Sequence, residues 1–224
     1  MNLAQEVRFL VAKELLLEWR QKYALGGIVL YVVSTVFVVY TSLNQTGEDL
    51  AKTTWNVLFW ITLLFTAVNA IAKSFTQESR ERNLYYYTLM SPQAVILAKM
   101  FYNSALMILL TFIALLVFTV MIGSAVEQWS VFAVIVLLGS LGFSFLLSMI
   151  SAIAAKAGNN ATLMAILSFP VILPLIMILQ KLSRFAFVSG ASFNDVSALL
   201  ITLIALDAML VALSFILFPY LWRD

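Results

Sequence analysis

Neither cysteine nor histidine occurs among the 224 residues of the chain, and charged residues make up only 11% of it. These absences exclude disulfides, thiol chemistry and histidine-based zinc or haem ligation, and they leave an intramembrane enzyme of the zincin or Ser–His type without its residues. A net charge of +2 offers no basic surface for nucleic acid. The phosphate-binding pattern GxxxxGK[ST] is also missing, so the chain has no P-loop of its own.

Apolar residues, in contrast, make up 63% of the chain, and its mean hydropathy is +1.01. Soluble domains are about 45–50% apolar, so this composition predicts an all-α polytopic membrane protein forming a single transmembrane domain over residues 1–224. Barrel strands would alternate in polarity, which these runs do not. Charge-poor runs of about 20 residues, the length that crosses a bilayer, predict a bundle of six spans at about 25–43, 54–72, 100–122, 129–154, 162–180 and 196–218.

The first 23 residues mix charged and apolar side chains, with Glu6, Lys13 and Arg20 among leucines and valines. A cleaved signal peptide would need a charge-free apolar core. The pattern therefore predicts an amphipathic helix at the membrane interface. A charged lead-in to the first span is the alternative.

The basic residues are distributed unevenly between the two sides of the predicted bundle. Ten of them fall on the side that carries the termini, and three (Lys52, Lys181 and Arg184) fall on the other. The positive-inside rule then predicts a multi-pass protein with both termini in the cytoplasm. Lys181 and Arg184 fall in a predicted outer loop together with Phe185, Phe187 and Phe193, which indicates a short interfacial helix on the outer face.

The longest cytoplasmic segment, Lys73–Pro92, has the features of a short helix between spans two and three. Ser74 and Gln77 fit a capping box, and Glu78 stands four residues before Arg82, an arrangement that supports a helix. Such a helix could present a rigid surface to a cytoplasmic partner. Alternatively, the segment is a solvated connector whose aromatic residues anchor at the lipid interface.

Three stretches carry a family resemblance: ESRERNLYYYTLMSPQAVILAKM, AGNNA followed by TLMAILSFPVILPLIMI with its prolines Pro170 and Pro174, and the C-terminal PYLWRD. They resemble the permease of the cytochrome c maturation system, the haem exporter protein B family, which belongs to the type-2 class of ABC transporter membrane subunits. The resemblance covers nearly the whole chain.

The resemblance implies a bacterial inner-membrane permease that acts with a cytoplasmic ABC ATPase and with further haem-handling membrane subunits. A second permease half would be either a copy of this chain or another protein. Haem would be the cargo, and the chain itself would bind no cofactor and catalyse no reaction. Two alternatives stay open: a non-conducting scaffold that relays ATPase motion to a neighbouring haem-handling subunit, and an ABC permease for another cargo. The residues that would dock on the ATPase in a coupling helix are Phe75, Glu78, Arg80, Glu81, Arg82, Leu84 and Leu89.

Inside the spans, Asp207 and the two prolines are the candidate gating residues. A charge at mid-membrane is costly, so Asp207 should face the bundle interior or a partner. It is either a structural acid, protonated or hydrogen-bonded, or a residue that acts in gating or subunit contact. Pro170 and Pro174 remove backbone donors and predict a kink in span five, which is either static or a hinge.

Two further features predict how the spans pack. The fourth span carries small residues that permit close helix approach: Gly139, Ser140, Gly142, Ser144 and Ser148. The five tryptophans fall mostly near span ends, which predicts an interfacial aromatic belt.

Overall fold

The computed structural model describes residues 2–20, 22–46, 51–71, 90–156, 161–188 and 193–223. Over these ranges the chain is helical, without strands. Its helices are α1 (Leu3–Arg20), α2 (Lys22–Thr46), α3 (Lys52–Ile71), α4 (Pro92–Met121), α5 (Trp129–Lys156), α6 (Ala161–Ala186) and α7 (Phe193–Arg223).

Five helices, α3 to α7, are long and apolar enough to cross a membrane. The predicted first span lies within α2, where the apolar stretch of the described residues, Gly26–Ser42, is shorter than the other five. The helix of the third span, α4, begins at Pro92 and so starts before the predicted span of 100–122. Extended backbone at Ser91 places Pro92 in the first turn of α4, where a proline needs no N–H partner. With 30 residues, α4 is about 45 Å long and exceeds the roughly 30 Å of hydrocarbon.

The helices form a bundle with two distinct ends. At the end that we call the Lys52 end, the Lys52 ammonium group pairs with Glu127 and donates a 2.9 Å hydrogen bond to the carbonyl of Phe187. The backbone N–H groups of Glu127 and Gln128 both donate to the carbonyl of Ala186. The starts of α3 and α5 are therefore held close to the end of α6. The opposite end carries α1 and the start of α4, and we call it the α1 end.

Helix α5 is central and packs against α3, α4, α6 and α7. Its glycines allow three of these contacts, those with α3, α6 and α7. A Cβ at Gly139 would lie 2.8 Å from the Trp60 ring and 2.8 Å from Leu179. The polar face of α5 packs on α4. The expectation that small residues in this helix permit close approach is confirmed.

An aromatic cluster fills the core near the Lys52 end, and it overturns part of the expected tryptophan belt. Trp55 stacks on Phe59 with ring centroids 5.2 Å apart. Trp55 and Trp60 are both buried, at 2% and 0% exposure, while Trp129 is exposed. Each buried indole has a hydrogen-bond acceptor, because Trp55 donates to the carbonyl of Gly123 at 3.0 Å and Trp60 to the Ser183 hydroxyl at 2.9 Å. A paired N–H removes the cost of taking the indole away from the interface.

The prediction of an outer loop with a short interfacial helix around Lys181 and Arg184 is wrong. Lys181 and Arg184 lie in the last turns of α6, which continues to Ala186. Leu182 and Ser183 between them are completely buried. The helix extends here because its inner face still packs on the core, while the two basic side chains point outward and are exposed.

Candidate functional site

The predicted coupling residues, from Phe75 to Leu89, lie outside the described residues. The structure resumes at Met90, directly before α4. The contacts made by the start of α4 are therefore the nearest described features to the predicted coupling helix.

Two carboxylates of α1 attach that helix to the start of α4. Glu6 accepts hydrogen bonds from the Ser91 hydroxyl at 2.7 Å and from the Ser91 backbone N–H at 3.1 Å. Glu14 lies 3.3 Å from the Lys99 ammonium group and 2.9 Å from that of Lys13. Lys99 itself is buried, with 4% exposure. We call these two contacts the α1–α4 ties.

Both ties favour the ionised carboxylate. The hydroxyl and then the backbone N–H of Ser91 lower the pKa of Glu6. Burial by itself raises the pKa of Glu14, but the charges and hydrogen bonds of Lys99 and Lys13 outweigh it and hold the pKa below the usual value. Each tie therefore stabilises the attachment of α1 at neutral pH and is lost in acid.

The spacing of the ties defines the direction of α1. Eight residues separate Glu6 from Glu14, and eight separate Ser91 from Lys99. Equal spacing means that α1 and the start of α4 run side by side in the same direction over about two turns. Leu10, between the two glutamates, is buried in a cluster with Ala94 and Val95. Motion of the start of α4 would therefore carry α1 with it.

Buried polar groups join α4 to α5 along a contact that we call the polar seam. The Asn103 amide donates to the Ser148 hydroxyl at 2.8 Å, and the hydroxyls of Ser104 and Ser144 lie 3.0 Å apart. The Ser140 hydroxyl lies 3.0 Å from that of Thr111. Because hydroxyls and amides in apolar surroundings need partners, these three pairs fix the register of the two helices.

Asp207 lies near the middle of α7, against Gly142 near the middle of α5. A Cβ at Gly142 would be 2.7 Å from one Asp207 carboxylate oxygen and 3.0 Å from Leu175. The carboxyl group is 6% exposed, and among the described residues neither of its oxygens has a hydrogen-bond partner. The expectation that Asp207 faces into the bundle is confirmed. A structural partner for it is absent from the described part of the chain.

A groove of about 630 Å³ opens beside Asp207, between α4 and α7 and over α5. The acid is its one ionisable group, and apolar side chains and two alanines form the rest of the wall. The lining residues are Leu97, Leu138, Leu141, Phe145, Ile204, Asp207, Ala208, Val211, Ala212 and Phe215.

The two candidate hinge residues lie on the outer face of α6. Pro170 and Pro174 are both inside the helix, which continues through them to Ala186. Both are exposed, as are the neighbouring Phe169 and Leu173. The structure therefore keeps the prolines apart from the Asp207 groove, whose wall is built from α4, α5 and α7.

The sequence pattern did not reveal the Glu14–Lys99 pair or the polar seam. Neither partner of a long-range pair is marked in the sequence, although Lys99 stands out as a base that lies several residues inside α4. Among the described residues, no group of three or more acidic side chains could hold a metal ion.

Over the described residues, an all-helical bundle with five long apolar helices and a buried mid-helix acid is that of a polytopic membrane protein. Residues 5–220 match the family model described as CcmB protein, and the chain belongs to this family. The family is that of the membrane subunit of a haem-exporter ABC complex for cytochrome c maturation, which is a transporter component and not itself an enzyme. No curated protein and no solved structure matches the chain.

Proposed function

We propose that this chain is the permease through which a separate cytoplasmic ABC ATPase drives haem export or haem release to an acceptor outside the cytoplasm. Family membership supports the role of membrane subunit, and the missing P-loop puts ATP hydrolysis on another chain. Haem is the cargo and not a resident group. With no His or Cys in the sequence, the usual protein ligands of haem iron are reduced to Met and Tyr.

The ATPase docks on the segment that contains Phe75, Glu78, Arg80, Glu81, Arg82, Leu84 and Leu89. The observation that supports this assignment is the pair of α1–α4 ties, which begin at Ser91, immediately beyond the segment. A push on the segment reaches α4 first. The ties carry it to α1, and the polar seam carries it to the central helix α5.

In the bacterial inner membrane, the chain forms one permease domain over 1–224 with six spans, α2 being the first, and both termini lie in the cytoplasm. Helix α1 lies at the cytoplasmic membrane interface, alongside the first turns of α4. Large apolar side chains of α1 remain exposed beside that contact and suit the lipid surface: Leu3, Phe9, Leu15 and Leu16. A second permease half, which is either a copy of this chain or another protein, and further haem-handling subunits complete the complex.

The coupling role is tested by replacing Glu78, Arg80 and Arg82 together with alanine. We expect the variant to insert normally, to lose ATPase association or to uncouple hydrolysis from haem release, and to lower cytochrome c maturation. The matched control replaces Lys181 and Arg184, exposed basic residues at the Lys52 end, and should leave all three readouts unchanged. Survival of both ATPase association and maturation in the triple variant would show that the coupling helix is elsewhere.

The topology is tested by single cysteines, since the chain has none of its own. Cysteine at position 47 or 189 should react with a membrane-impermeant thiol reagent added outside the cell. Cysteine at position 79 or 159 should react only after permeabilisation. The reversed labelling pattern would overturn the orientation.

A second candidate function, a non-conducting scaffold, is favoured by the packing of the core. Trp55, Phe59, Phe118 and Phe132 form ring contacts across the bundle near the Lys52 end, with centroids 5.2 to 6.0 Å apart, and these rings occupy the centre of one copy. Haem uptake into vesicles that contain the purified permease and ATPase would support export. Uptake that requires a further membrane subunit would support the scaffold.

A further inference from the structure

We propose that the Asp207 groove is the docking site for a transmembrane helix of a different subunit, which places a basic or hydrogen-bond-donating side chain beside the Asp207 carboxylate. The proposal rests on the proposed function in one respect, because it requires the chain to act in a complex with other membrane subunits.

The first argument is that the carboxyl group of Asp207 is buried without a partner among the described residues. Asp207 is 94% buried, it lines the groove, and neither of its oxygens has a partner among the described residues. A buried carboxyl group without a partner is costly in a membrane, and such residues normally pair with one another or with groups of a neighbour. Asp207 lines the groove, and its oxygens, which are covered in this chain, would meet a donor seated in the groove once the side chain turns toward it.

The second argument is the shape of α7 beside the groove. Ala205, Ala208 and Ala212 are exposed and form a stripe of small side chains along one side of the helix. Small residues in this spacing allow another transmembrane helix to approach closely. Helix α7 is also the least buried of the five long apolar helices, so it has surface free for such a neighbour.

The third argument compares the other occupants. A second copy of this chain brings no Lys or Arg to this depth, because its thirteen basic residues all lie near or beyond span ends, and it could offer only a neutral donor. Lipid acyl chains have no donor, and headgroup amines lie about 15 Å away, at half the hydrocarbon thickness. Haem would bring its propionates to the same carboxylate, and like charges repel. A hydrogen-bond donor on a foreign helix fits both the acid and the apolar wall.

The test places the photo-crosslinking residue p-benzoylphenylalanine at Ala208 or Ala212 of the full complex in its native membrane. The control position is Leu213, which is exposed on the side of α7 away from the groove. We expect crosslinks from Ala208 and Ala212 to a transmembrane segment of another subunit that contains Lys, Arg, Asn or Gln, identified by mass spectrometry. Crosslinks from Leu213 should go to lipid.

The dependence on the acid is tested in the same assay. Asp207→Leu should reduce the heterologous crosslink about tenfold, which corresponds to about 1.4 kcal/mol, and Asp207→Asn should reduce it less. Asp207→Lys combined with an acidic replacement of the identified donor should restore it. The monodisperse elution of each variant checks its fold, and the double change keeps the test informative if the leucine variant misfolds.

Crosslinks from the groove to lipid, to a second copy, or to a segment without a donor would each overturn the proposal, as would an unchanged yield with Asp207→Leu. The result is independent of coupling. If ATPase association is intact while the groove shows only lipid, the docking proposal is wrong and the proposed function stands. If the groove crosslinks as expected but the ATPase does not associate with the permease, the docking proposal stands and the proposed function is wrong.

Discussion

Toward α4, helix α5 presents Ser140, Ser144 and Ser148, and each hydroxyl meets a polar side chain. Toward α7 it presents Gly142, and the carboxyl group that faces this glycine meets no hydrogen-bond partner among the described residues. One helix therefore has a side on which its hydroxyls are satisfied and a side on which it meets an unsatisfied acid. In a membrane interior the satisfied contact fixes structure, and the unsatisfied one marks a place where something else is to bind.

The largest effect that sharpens this comparison is expected where a glycine of α5 lies against a buried aromatic ring. In Gly139→Ala the new methyl group would lie 2.8 Å from the Trp60 ring. That ring is buried and held by its hydrogen bond to Ser183, so it cannot give way easily. We expect a loss of about 2–3 kcal/mol of stability, measured by reversible unfolding in micelles. Gly27→Ala, with nothing within 4 Å, should lose none, and equal losses would contradict the assigned packing.

The next effect concerns Asp207 in the isolated chain. Because the acid has no partner there, Asp207→Leu should stabilise the purified protein, by about 2 kcal/mol, although it should impair assembly in the complex. Asp207→Asn should change the stability of the isolated chain little and should mature cytochrome c nearly normally if the acid is structural. An Asn variant that assembles with the ATPase but fails in haem delivery would show a mechanistic role.

A substitution in the polar seam should lower the stability of the isolated chain, whereas Asp207→Leu should raise it. Ser148→Ala removes the acceptor of the Asn103 amide, and we expect a loss of about 1 kcal/mol in the same unfolding measurement. Thr202→Ala is the control, since its exposed hydroxyl bonds to the Ala198 carbonyl in its own helix. If Ser148→Ala and Thr202→Ala lose the same stability, the seam contributes no more than a hydroxyl on the exposed surface.

The smallest effect is expected at the Glu6 tie, which is partly exposed to solvent. Glu6→Gln should speed hydrogen exchange in α1 by a factor that corresponds to about 0.5 kcal/mol. Because the pKa values of Glu6 and Glu14 are lowered in the folded protein, both ties contribute above the usual glutamate pKa of 4.5 and are lost as the pH falls below it. The protection factors of the α1 amides, which compare the measured exchange rates with those of an unfolded chain at the same pH, should therefore fall below about pH 4.5, and constant protection factors would count against the ties.

The parts of the structure that sequence could predict are those set by local composition. Apolar runs predicted the five long apolar helices, and small residues predicted the close contacts of α5. The cost of a charge within a span predicted that Asp207 would be buried. Trp55 and Trp60 were placed wrongly, because their acceptors, Gly123 and Ser183, are distant in sequence. The ties and the seam likewise join residues of different helices, and one sequence does not indicate which polar groups will meet.

The equal eight-residue spacing of the α1–α4 ties also limits which changes in length α1 can accept. One residue inserted between Glu6 and Glu14 would rotate the second carboxylate by about 100° relative to the first. Glu14 would then point away from Lys99 while Glu6 kept Ser91. Insertions before Glu6 leave both contacts in register, so an affinity tag is tolerated ahead of α1, whereas a single added residue within it detaches one half of the helix from its neighbour.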